Sequence, residues 1–332
     1  MKASHCLMPL LLVLFGGCSS AGQKKAPSTG RPYEVVVVCP RGVWEGVAGD
    51  TLRAILLAPV EMINQREPLF DVCHMLPAGM GNFAKRHRNT LVVGIGPEYS
   101  RPGIGVRRDL FSMPQMVVSV TGPDQSSVAE HLSCCRAALV EMIGQSEHER
   151  YAATARKNSA RNLEELIEGK FGFKMTIPRG YALRNKSKDF LWLSSEHPQA
   201  SQGIVIYRYP CSGKGDLEPE TLVARRNEHL ARIPGPSEGS YMTTAAEFPP
   251  SVERVCIGLR QWTCIRGFWD VAGDFMGGPF VGCSSVDSST RSVVSVDCYV
   301  FSPKEHKRNY LRELEALVLS VRFPGDSLAL KE

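Results

Sequence analysis

The 332-residue sequence lacks any apolar run long enough to cross a bilayer. Its opening run, Leu7–Phe15, counts nine residues, where a spanning helix needs roughly 20. Charge of one sign is also scarce. The formal net charge is +5, and removal of residues 1–17 takes away only Lys2, leaving +4. Nucleic-acid binders concentrate Lys and Arg on one face; here the excess is small and spread out, so no nucleic-acid partner is expected. Catalytic signatures are missing as well. There is no G-x-S-x-G elbow and no C-x-x-C pair. The second histidine of H-E-x-x-H is missing after His148-Glu149, and Cys211-Ser212-Gly213-Lys214-Gly215 lacks phosphate-loop spacing. Gly94, Gly96, Gly103 and Gly105 follow a strand, but Pro97 and Pro102 interrupt them and no helix follows, which excludes a dinucleotide loop. The sequence therefore predicts no catalytic residue, no metal site and no cofactor.

What is present begins with the leader. Lys2 supplies a positive start, Leu7–Phe15 an apolar stretch, and Gly16-Gly17 the small residues of a cleavage site. Cys18 follows at once. Leu14-Phe15-Gly16-Gly17-Cys18 resembles the lipobox of bacterial lipoproteins, with Phe15 where Leu is usual. That resemblance implies cleavage before Cys18 and acylation of its thiol, and a membrane anchor through the lipid. Each buried CH₂ of such a chain contributes about 0.8 kcal/mol. Residues 18–31 carry almost no large apolar side chain and read as a flexible tether. None of the residues directly after Cys18, SSAGQKK, is acidic, which points to an outer-membrane protein facing the periplasm.

Eleven cysteines are present. With Cys6 in the leader and Cys18 assigned to lipid, nine remain, an odd number, so at least one stays free. An exported protein can form disulfides. Cys256, Cys264, Cys283 and Cys298 lie in strand-like segments near the C-terminus and are the candidates to meet.

The patterning predicts an α+β protein in two domains. Over 32–145, strands alternate with helices. YEVVVVC (33–39) is a continuous β-branched run, as in a strand covered on both faces. LFDVCHML (69–76), TLVVGI (90–95) and 116–120 read as further strands. Asp50 or Thr51 is positioned to cap a helix burying Leu52, Ile55 and Leu56, and Pro123-Asp124 opens another. This is an α/β unit with a small, mainly buried sheet. Residues 146–170 read as a helical connector. From 171 to 325 the signals are antiparallel: FKMTIP, KDFLWLSS, GIVIYRYP, SYMTTAAE, VERVCIG, WTCIRGFWDV, PFVGCSS and SVVSVDCYVF. Helices are predicted at 218–232 and 304–319. The expected solution is a long antiparallel sheet with helices on one face, followed by a tail at 326–332.

The stretches GRPYEVVVV, GDTLRAILLAPV, EPLFDV, PQMVVSVTGPD, IPGPSEGSYM, GDFMGGPFV and KRNYLRELEALVLSVRFP together resemble an uncharacterised lipoprotein family of Bacteroidota, domain of unknown function number 4837, over residues 30 to about 325. The resemblance implies export and a lipid anchor but no activity. FGFKMTIPRGY and the final helix running into SVRFP are also loosely similar to the PsbP-type fold.

One region is rich in backbone constraint: Ile233–Met242, and Gly267–Phe280. Tyr241, Met242, Trp269, Asp274, Phe275 and Met276 form a candidate ligand or partner surface, since glycines with exposed aromatics and Met build shallow binding surfaces. Tight turns whose aromatics belong to the core are the competing reading. The function expected from the sequence is a lipid-anchored, non-catalytic envelope module that binds an envelope protein or glycan, or supports assembly. The alternative is an envelope hydrolase acting on glycan or peptide.

Overall fold

A computed structural model describes residues 25–324. The leader, Cys18 and the 326–332 tail lie outside the described residues. The described residues divide into two compact units, one formed by 25–58 with 70–143, the other by 59–69 with 144–324. The fold class is α+β, as the patterning predicts.

The first unit holds a five-stranded sheet in the order β2-β1-β3-β5-β4. Its strands are β1 (Glu34–Val38), β2 (Asp71–Met75), β3 (Asn89–Ile95), β4 (Gly103–Arg108) and β5 (Met116–Gly122). β1, β2, β3 and β5 are mutually parallel where they pair, while β4 runs antiparallel to β5. Val35 to Val38 are buried, so the continuous β-branched run is the signature of a strand inside a parallel sheet. β4 falls in the glycine-rich segment after β3, where the sequence reading assigns no strand. It is an edge strand with exposed Arg107 and Arg108, and carries too little apolar signal to read from the sequence.

A short helix, α1 (Arg41–Trp44), follows β1. The next, α2 (Val47–Leu56), buries Leu52, Ile55 and Leu56 as expected, but starts behind Gly46 rather than at Asp50 or Thr51. Gly49 permits the earlier start: a Cβ there would lie 2.0 Å from Trp44 O. Asp50 pairs with Arg53 instead. A short α3 (Asn82–Arg86) precedes β3. Asp124 does cap α4 (Gln125–Cys134), accepting from Ser127 N at 2.9 Å.

The division between units falls within α5 (Arg136–Lys157). Residues 146–170 therefore belong to the second unit rather than forming a separate connector, and α6 (Arg161–Phe171) is part of its core. Helix α7 is Pro219–Leu230 and α8 is Arg308–Val318. The eight-stranded sheet is antiparallel throughout, in the order β10-β11-β12-β13-β8-β7-β6, with β9 on β11. The strands are β6 (Ala182–Ser187), β7 (Phe190–Glu196), β8 (Ser201–Pro210), β9 (Tyr241–Thr244), β10 (Ser251–Ile257), β11 (Arg260–Ala272), β12 (Gly277–Asp287) and β13 (Ser292–Phe301).

Both faces of this sheet are covered, which corrects the one-face expectation. Ile204, Ile206, Val294, Val296 and Cys298 pack with α5, α6 and α8, whereas Val205, Tyr207, Phe280 and Tyr299 pack with α7. The alternation follows the two-residue period of a strand. FKMTIP is not a sheet strand. Phe173, Met175 and Ile177 alternate inward, but Lys174 bridges only Arg322, and Thr176 N and Ile177 N donate to Ser320 Oγ and Glu164 Oε1.

Candidate ligand-binding site

The residues singled out from the sequence separate into core and surface. Trp269 is 1% exposed. Its Nε1 donates to Val300 O at 3.1 Å, and its ring meets Tyr299 edge-on at 5.5 Å. Met242, opposite Val271 on β9, is buried too. Both are corrections to the surface reading. Strand alternation turns them inward, and a large ring is worth most when removed from water. Tyr241 remains exposed, Met276 is half-buried, and Phe275 stands fully in solvent. Asp274 is held in the turn, accepting from Ser237 Oγ at 2.5 Å and Phe275 N at 2.6 Å. These six residues thus form no continuous apolar surface.

The cysteines also separate. Cys264 and Cys283 face each other across β11 and β12 and are bonded, with Cα atoms 4.1 Å apart. Cys256 and Cys298 are free, a correction set by strand register. Cys256 lies opposite Gln261 and is exposed. Cys298 lies opposite Val281 and Ile204, where burial pushes its thiol well above the ordinary range.

A different place gathers unclaimed polar groups. α6 ends in a left-handed Gly172 (φ 78°), whose N–H returns to Glu168 O, the glycine stop expected of a helix terminus. The β12–β13 turn is held by Asp287. Its Oδ1 accepts from Ser289 N and Oγ at 3.1 and 2.6 Å, and its Oδ2 from Thr290 Oγ1 at 2.6 Å. Burial pushes the Asp287 carboxyl up, but these hydrogen bonds and the nearby Arg208 charge prevail and leave it below its usual value. Between helix end and turn lies a cavity of about 620 Å³, lined among others by Phe171, Arg208, Arg260, Asp287, Thr290 and Phe323.

The two arginines are anchored at their tips. Arg208 Nη2 donates to Phe171 O at 2.5 Å, and Arg260 Nη1 to Val286 O at 2.7 Å. The Arg260 guanidinium lies 3.9 Å over the Phe323 ring, a cation–π contact. Yet the Nε atoms of both are buried with no acceptor among the described residues. So is Nε1 of Trp262, whose ring lies 6.3 Å from that of Phe323. A buried donor left unsatisfied costs about 1–3 kcal/mol, so such groups call for an explanation.

Several other charged groups in this unit have partners. Arg226 and Asp297, both buried, meet at 2.7 and 3.2 Å, with Arg226 also donating to Thr244 Oγ1. Glu315 is paired with Arg266 and His148. Burial raises the Glu313 carboxyl to about 7 against the hydrogen bond from Gln202, but Glu313 does not line the cavity. Among the described residues no group of three His, Cys, Asp or Glu could hold a metal ion. Sequence reasoning did not single out Arg208 or Arg260. They are 52 positions apart, and only strand pairing and the return of residues 323–324 bring them to one cavity.

Residues 160–320 match the family described as Domain of unknown function (DUF4837), and residues 28–156 match Domain of unknown function (DUF8532). The sequence resemblance places the first family over residues 30 to about 325; the family match covers 160–320, and residues 28–156 match the second family instead. No curated protein matches the chain. Among solved structures, the Saccharomyces cerevisiae Ran-binding protein Mog1p aligns at 11% identity over 46% of this chain and 89% of its own, with a TM-score of 0.32. A mutant form of protein Mog1 aligns at 10% identity over 46% and 90%, with a TM-score of 0.30. Scores this low bear on neither fold nor function here.

Proposed function

We propose, on the premise that residues 160–320 match the uncharacterised family DUF4837, that this chain is a lipid-anchored cell-envelope protein whose second unit binds a glycan or peptide without transforming it. The Arg208 and Arg260 guanidinium groups lining the 620 Å³ cavity, whose Nε atoms find no acceptor among the described residues, carry the binding reading. Guanidinium groups fixed at their tips and backed by Phe171 and Phe323 suit a ligand that brings acceptor oxygens and an apolar face. The envelope half of the proposal rests on the lipobox-like leader, with acylation at Cys18, and is supported by the Cys264–Cys283 bond, since disulfides persist in oxidising compartments. The lack of acidic residues in the SSAGQKK segment directly after Cys18 supports an outer-membrane position facing the periplasm.

The test is titration of the full chain with oligouronides, neutral oligosaccharides and short peptides with a free carboxyl terminus, read by tryptophan fluorescence. Arg208→Gln with Arg260→Gln should weaken binding of the responding probe roughly tenfold or more, while the melting temperature reports on the fold. Equal binding by parent and variant, or no response to any probe, removes this reading.

A further inference from the structure

A second cavity lies elsewhere in the same unit, where the α5–α6 link folds against residues 177–179. Ala160 N donates to Ile177 O at 2.7 Å and Arg179 N to Asn158 O at 2.8 Å, and Ser159 bridges Pro178. These bonds fix Arg179 against the end of α5 and the start of α6. The result is a cavity of about 490 Å³ lined by Arg156, Lys157, Arg161 and Arg179, with Ser159 and Asn162 among the remaining residues.

No Asp or Glu lines it. None of the four cations has an ion-pair partner among the described residues, whereas Arg41, Arg53, Arg225 and Arg232 are each paired. Like charges gathered around one concavity repel each other and raise the local positive potential. A separate feature points the same way. Ala160, at the N-cap of the eleven-residue α6, provides no side-chain acceptor. The first N–H groups of a helix have no partner within it, and Arg161 and Asn162, which carry them, both line the cavity. The Ser159 hydroxyl and Asn162 carboxamide make no hydrogen bond among the described residues.

We propose that this cavity binds a phosphate group. A phosphate dianion answers several positive charges at once, arginine forks match its oxygens, and a helix N-terminus presents N–H donors to it. Two carriers share this chemistry, a soluble phosphate ester and an anionic phospholipid headgroup. The site is separate from the Arg208–Arg260 cavity and its test is independent of that one.

The experiment uses the full chain carrying Cys18→Ala, so that no acyl chain contributes. Inorganic phosphate is titrated by calorimetry. In a second arm the protein is sedimented with vesicles of phosphatidylcholine, alone or with phosphatidylglycerol in a roughly 3:1 mixture. Arg161→Gln with Arg179→Gln should reduce phosphate affinity roughly tenfold or more. Lys186→Gln with Arg254→Gln, an equal charge change at exposed strand positions, should leave it unchanged. Phosphate binding lost only in the first pair supports the site with a soluble ester. Binding only to phosphatidylglycerol vesicles, lost only in the first pair, supports it with a headgroup. Failure of both probes to bind, or equal weakening by the two pairs, overturns the proposal.

Discussion

Trp269 and Phe275 belong to the same aromatic, glycine-rich stretch and have opposite fates. The indole is buried and hydrogen-bonded to Val300 O, while the phenyl ring of Phe275 is wholly in solvent. Trp269→Ala should therefore cost about 3–5 kcal/mol of stability, and Phe275→Ser about 0.5 kcal/mol or less, both read by urea unfolding. Comparable small losses for the two would mean that Trp269 is not core. The sequence marks both residues but not which of them faces inward, because glycine and proline around a turn fix local conformation and not the direction of the core. At Cys264 and Cys283 the same limit applies. All four candidate cysteines read alike, and the one-to-one register of β11 with β12 selects the bonded pair.

At the scale of the element, α8 shows how much of a helix lies beyond its own sequence. Its period is legible in Leu311, Leu314 and Val318, all buried. Its start is not: the Glu67 carboxylate accepts from Lys307 N and Arg308 N at 2.7 and 3.0 Å, from about 240 residues away. Two carboxyls on α8 also titrate in opposite directions. Burial pushes Glu315 up, but Arg266 and His148 outweigh it and hold it at about 2. That pKa lies below the unfolded value of about 4.3, so its contribution is present above about pH 4.3 and lost as pH falls toward 2. Glu313, raised by burial to about 7, does the reverse. Its neutral form fits the fold, so its contribution is present below about pH 4.3 and lost as pH rises through 7. Glu313→Gln should raise stability at pH 8 by on the order of 1–3 kcal/mol and flatten the decline between pH 5 and 7, measured as melting temperature against pH. A decline unchanged in the variant would remove Glu313 as its source.

For the whole molecule, the anchor proposal makes one direct prediction. Cys18→Ala should abolish labelling by a palmitate analogue and move the protein out of the membrane fraction; persistent labelling would refute acylation at Cys18. Composition and periodicity by themselves determined the α+β class, the buried strand β1, the helix start at Asp124 and the strands β8 and β13, because each depends on neighbours within about a dozen residues. The proposed processing signal at Cys18 is likewise a linear pattern. Tertiary structure decided the rest. It placed residues 59–69 with the second unit, covered both faces of the eight-stranded sheet, and gathered Arg208 with Arg260 and Arg156 with Arg179. Those groupings depend on strand register and chain return across long separations, where no local pattern of hydrophobicity or turn chemistry carries the information.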